Sequence, residues 1–77
     1  MVDQLSPVPL YVQVADAVAA LITSGKLKPG QPVPSEKTLQ QDHEVARGTV
    51  RQAMRLLRDR GLVITVPQRG TFVAPKS

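Results

Sequence analysis

From the tenth residue onward, apolar positions recur at helical spacing. Leu10, Val14, Ala17, Val18, Leu21 and Ile22 form one stripe, with Gln13, Asp16 and Thr23 off it. Pro9 suits a first helical turn, where no backbone donor is needed. Gly25 offers a left-handed stop, and Pro29-Gly30 prevents resumption. A first helix is therefore predicted over about residues 9–24, after an arm at residues 1–8.

Residues 26–34 hold three prolines between apolar positions, so Leu27 and Val33 are expected to tuck onto a core. Pro32 and Pro34 confine any strand here to an edge, because proline cannot donate to a ladder. Ser35 has the side chain of an N-cap, and Glu36 suits the positive end of a helix dipole. A short second helix is expected over about 36–42, with Leu39 facing inward.

His43-Glu44-Val45-Ala46 separates this helix from a third, predicted over Arg47 to Arg60. Its inward positions are Val50, Ala53, Met54 and Leu57, with Leu56 widening the stripe. Gly61 ends it after the cationic Arg58 and Arg60. Then Leu62–Val66 and Thr71–Ala74 flank the turn Pro67-Gln68-Arg69-Gly70, which reads as a hairpin. Val66 and Phe72 are expected to pack the hairpin onto the core. The predicted class is α+β, mainly α: a winged helix-turn-helix, three helices followed by a two-stranded β-hairpin wing. The domain is placed at 9–74, with 75–77 as the start of a linker.

Composition narrows the chemistry. Seventy-seven residues make one small domain, which buries only about 60% of the surface of its extended chain. With no cysteine or tryptophan and one Phe and one Tyr, the core must be mostly aliphatic. A single histidine, His43, is no metal cluster and is read as a turn residue. Glu36 and Asp42 are read as cap or helix residues. No paired acids, nucleophile–base set or phosphate-binding loop occurs, so neither catalysis nor a cofactor is expected in this domain. The apolar runs fall short of the roughly 18–20 residues that span a bilayer, and no signal-peptide pattern opens the chain. A cytoplasmic protein with no membrane partner is expected.

Charge is distributed unevenly. In residues 1–36, Lys26 and Lys28 against Asp3, Asp16 and Glu36 leave a net −1. In residues 37–77, two lysines and six arginines against Asp42, Glu44 and Asp59 leave +5. A basic half points to a polyanionic partner. On the third helix Arg47, Arg51, Arg55 and Arg58 share one side. Such a face is also what a merely solvated helix presents. Its N-terminal end, however, is where a recognition helix meets base edges, and Arg47, Gly48, Thr49 and Arg51 lie there. Gly48 would let a backbone approach DNA, whereas Arg55 and Arg58 are read as phosphate contacts or surface charges. Arg69 and Gly70 sit at the wing tip, and Lys37 at the start of the second helix is placed for a phosphate. One aromatic at the hairpin makes no stacking platform, which argues against a single-strand binder.

Several segments resemble the N-terminal domain of GntR-family bacterial transcription regulators. They are Pro9-Leu10-Tyr11-Val12-Gln13-Val14, Ser24-Gly25-Lys26-Leu27-Lys28-Pro29-Gly30, and Pro34-Ser35-Glu36-Lys37-Thr38-Leu39. Val45-Ala46-Arg47-Gly48-Thr49-Val50-Arg51-Gln52-Ala53, Leu56-Leu57 with Gly61-Leu62, and Arg69-Gly70-Thr71-Phe72-Val73 follow in order. The resemblance implies DNA contacts at Lys37, Arg47, Thr49, Arg51 and Gly70. It further implies a repressor or activator, with repression the favoured sign, bound as a homodimer to a near-palindromic operator. An effector-binding and dimerisation domain would follow the wing and hold the small-molecule effector. Two other readings stand beside it: a winged-helix module that binds protein, and the DNA-binding part of a regulator with an aminotransferase-like C-terminal region.

Four positions depart from the family pattern. Glu44 stands where the turn usually has glycine, so the backbone there either avoids the left-handed region or bears strain. His43 replaces an aromatic, Ala46 a capping Ser or Thr, and Gln68 a wing glycine.

Overall fold

The computed structural model describes residues 3–75; Met1, Val2, Lys76 and Ser77, the ends of the expected arm and linker, lie outside the described residues. Helix α1 spans Leu10–Thr23, α2 Glu36–His43 and α3 Arg47–Asp59. Strands β1 (Val63–Val66) and β2 (Gly70–Val73) pair antiparallel, with Val63 opposite Val73 and Val66 opposite Gly70. This is the expected order of three helices and a hairpin, and each helix ends within a residue of its predicted boundary.

Local chemistry accounts for the ends. The Pro9 carbonyl accepts from the Val12 and Gln13 amides, opening α1 without a side-chain cap. At α2 the Ser35 hydroxyl accepts from the Thr38 amide at 3.1 Å, relieving one donor of the open turn. Helix α3 closes on Gly61 at φ 76°: the Gly61 amide donates to Arg58 and the Leu62 amide to Leu57. Those two bonds form a Schellman cap, and its left-handed residue strongly favours glycine.

The turn between α2 and α3 resolves the question posed by Glu44. Its backbone is left-handed, φ 54° and ψ 48°, and it serves as the C-cap of α2. A non-glycine residue here costs about 1–2 kcal/mol. The turn keeps the geometry a glycine would adopt and carries the strain. Ala46 likewise occupies the N-cap of α3 with extended backbone and no side-chain bond. Gln68 at the wing tip is also left-handed, at φ 65°.

The core is where α1 packs on α3. Val14, Ala15 and Val18 from α1 meet Val50, Ala53, Met54 and Leu57 from α3, closed by Val33, Leu39, Val63 and Val73. All four inward residues expected of α3 are buried, and Leu56 packs beside them. On α1 the buried face is rotated: Ala15 is fully buried, whereas Leu10, Ala17 and Leu21 are only half-buried. The hairpin is also anchored differently from expectation. Val63 and Val73, a directly opposed pair, are buried, while Val66 and Phe72 are half-buried.

Residues 30–33 run along the free edge of β2. The Gly30 amide donates to Val73, the Val73 amide to Gln31, and the Val33 amide to Thr71. Pro32 bridges Phe72 from that edge, a position that tolerates its missing donor. The linker is therefore stitched to the wing, and α2 must begin at the wing's flank.

Candidate nucleic-acid interface

Because Val33 is tied to β2, Ser35, Glu36 and Lys37 emerge directly opposite the hairpin tip. A shallow groove of about 540 Å³ runs between them, lined by Lys37 and Glu36 on one side and Arg69, Gly70 and Thr71 on the other. Met54 of α3 contributes to the same groove. Three predicted site residues from distant parts of the chain thus share one groove: Lys37, Arg69 and Gly70.

The rest lie at the start of α3. Arg47, Gly48 and Arg51 are exposed and Thr49 is half-buried. Arg51 joins the two groups, since its Nε lies 3.8 Å from Oε1 of Glu36, the first residue of α2. Both side chains remain about half exposed, so the pair contributes at most about 1 kcal/mol to stability. No hydrogen bond joins the two side chains at this distance, so the contact is electrostatic. Among the described residues, Lys37, Arg47, Arg55 and Arg69 enter no ion pair, and their charge is open to solvent.

Gly48 is informative because nothing in the fold requires it. Its φ is not positive, and a Cβ built there would meet nothing within 4 Å. Glycine in a helix interior costs about 1 kcal/mol relative to alanine, and less in the first turn, where Gly48 stands. That cost is explained if something outside the chain approaches this backbone. Gly70 differs: its φ of 116° demands glycine for the wing turn whatever it touches.

The distal arginines of α3 divide. Arg58 donates from Nη1 to the Thr65 hydroxyl of β1 at 3.1 Å. Arg60, just past the helix, pairs with Asp16 of α1 at 2.9 Å and ties the end of α3 to α1. Arg55 points to neither and lines a shallow hollow with Tyr11 and Asp59. Sequence reasoning gave Glu36 no role beyond the helix start and did not single out Thr65 or Thr71. Their partners are set by packing between elements, which no periodicity reports. Among the described residues, no group of three His, Asp or Glu side chains is arranged to hold a metal ion, and no helix is long and apolar enough to cross a membrane.

The profile described as "Bacterial regulatory proteins, gntR family" matches residues 10–73, nearly the whole chain. The chain belongs to the GntR family. Two curated relatives are similar throughout: the HTH-type transcriptional repressor NagR of Bacillus subtilis, 37% identical over 73 residues, and the mannosyl-D-glycerate transport/metabolism system repressor MngR of Escherichia coli, 43% identical over 65 residues. These matches cover 95% and 84% of this chain, but only 30% and 27% of the relatives. The GntR chain thus spans less than a third of the length of the curated relatives it matches. Its structure superposes on that of AraR(DBD) in complex with operator ORR3 at a TM-score of 0.85 and 36% identity, covering 96% of this chain and 89% of that one. As a GntR-family domain it is a DNA-binding regulatory module.

Proposed function

We propose that this domain binds a specific operator sequence in duplex DNA, with α3 in the major groove and the wing on the adjacent minor groove or backbone. Arg47 and Arg51 present guanidinium groups that can bridge two acceptors on guanine. Thr49 contacts a phosphate or a thymine methyl, and Gly48 admits the backbone. Lys37 takes a phosphate, and Arg69 and Gly70 carry the wing contact. The observation that carries this reading is the convergence of Lys37, Arg69 and Gly70 on one groove, bridged to Arg51 through Glu36. A GntR-family neighbour solved with its operator supports the choice of duplex DNA.

The domain works within a longer regulator in this reading. Residues 9–74 form the DNA-binding part, preceded by an arm at 1–8, and 75–77 start a linker to an effector-binding and dimerisation domain. The regulator acts in the cytoplasm as a homodimeric repressor on a near-palindromic site, released by a small molecule bound to that second domain. The relatives NagR and MngR, both named repressors, support the sign of regulation.

Selection of bound duplexes from a random library tests the assignment. The expected product is one enriched half-site, repeated with dyad symmetry when the dimeric regulator is used. Failure to enrich any sequence, with no change of the α3 or wing amide resonances on adding duplex at low salt, overturns it in favour of a protein partner.

A further inference from the structure

We propose that Arg58 sets the angle of the wing against α3 by holding Thr65, positioning Arg69 and Gly70 without itself touching DNA. The inference rests on the DNA-binding reading above and adds a residue to it. Three observations carry it.

The hairpin is fixed unevenly along its length. At its inner end, the opposed Val63 and Val73 are buried in the core. Towards the tip, β2 is braced by the Val33 amide on the Thr71 carbonyl. On the β1 side, Ile64 and Thr65 are exposed, and the side-chain brace among the described residues is the 3.1 Å bond from Arg58 to Thr65.

The bond also falls close to the tip. Thr65 opposes Thr71, one pair inside Val66 and Gly70, which close the turn carrying Arg69. The Thr65 and Thr71 hydroxyls lie 3.5 Å apart, so the guanidinium holds β1 beside its cross-strand neighbour on β2. A small rotation at this point displaces the tip directly.

Arg58 stands in the last turn of α3, eleven residues beyond Arg47. At about 1.5 Å per residue, it is roughly 16 Å from the base-reading end of the helix. Its length lets it span the gap between helix and strand, and its fork of donors suits a hydroxyl acceptor. As an exposed contact it adds little to overall stability, but it sets a relative orientation.

A double-mutant cycle tests the proposal, using wild type, R58A, T65V and R58A/T65V with a duplex recovered by selection. Each single change should weaken binding about three- to tenfold, the scale of one hydrogen bond, and leave the salt slope unaltered. The double variant should be no weaker than the weaker single. R58K, which keeps a donor, should recover most of the affinity. Without DNA, R58A and T65V should both move the Arg69 and Gly70 amide resonances, and R58K should move them less. A fall of about one in the salt slope of R58A, with T65V silent, would mark a phosphate contact and overturn the proposal. Additive losses, or unmoved wing-tip resonances in the free protein, overturn it as well. If the wild-type chain binds no duplex, the DNA reading falls, while the free-state resonances still judge the tie between Arg58 and the wing.

Discussion

Arg51 of α3 faces Glu36, the first residue of α2, Nε to Oε1 at 3.8 Å. Under the proposed function Arg51 reads a base, whereas Glu36 opens the helix that carries Lys37. In that reading the carboxylate biases the guanidinium and places a negative charge beside the surface proposed for phosphates. Glu36→Gln should therefore raise affinity for a scrambled duplex, by up to about fivefold at low salt. Affinity for the selected operator should rise less, because Arg51 loses its guide. Competition between the two duplexes measures the ratio; an unchanged ratio would show that Glu36 does not orient Arg51.

Arg47 and Lys37 should fail in different ways. Arg47→Ala should lose about 1–3 kcal/mol of operator binding and relax preference at one base position. Lys37→Ala should weaken all sequences alike and lower the salt slope by about one. Titrations of cognate and scrambled duplexes across a range of salt separate the two. Equal behaviour of the variants would refute the division into base-reading and phosphate-holding residues.

Gly48 sets stability against binding. Since a Cβ meets nothing there within 4 Å, Gly48→Ala should stabilise the free domain by about 0.5–1 kcal/mol. The same methyl should weaken operator binding if the α3 backbone comes close to DNA. Thermal melting and a binding titration on one preparation check both signs. A variant that melts higher and binds equally well would show that DNA keeps its distance.

Glu44→Gly should stabilise the domain while leaving its fold intact. Relief of the left-handed backbone, worth about 1–2 kcal/mol, is partly offset by the freer unfolded chain. A net gain of about 0.5–1 kcal/mol would raise the melting temperature by roughly 2–8 °C in a domain of this size. A lower melting temperature would mean that the Glu44 side chain compensates for its strain.

How much of this was legible in the sequence depends on the range of the interaction. The three helices and the hairpin followed from period-3.6 and hairpin patterns, and Ser35 and Gly61 mark ends through bonds to nearby residues. Lys37, Arg47 and Arg51 could be singled out because charge on a helix end is local information. The full burial of Ala15 could not, because an alanine carries little hydrophobic signal and its exposure depends on how α1 meets α3. The left-handed Glu44 was a fork that only the closed turn could decide.

Sequence alone determined which segments are helices and strands, where they stop, and which face of α3 is apolar, since these depend on neighbours a few residues away. Tertiary structure decided that Gln31–Val33 would lie on the edge of β2, bringing Lys37 to Arg69 and Gly70. It also assigned Arg51 to Glu36 and Arg58 to Thr65. Those pairings arise when the buried core fixes the angles between elements, and side chains then bond to whatever lies within reach.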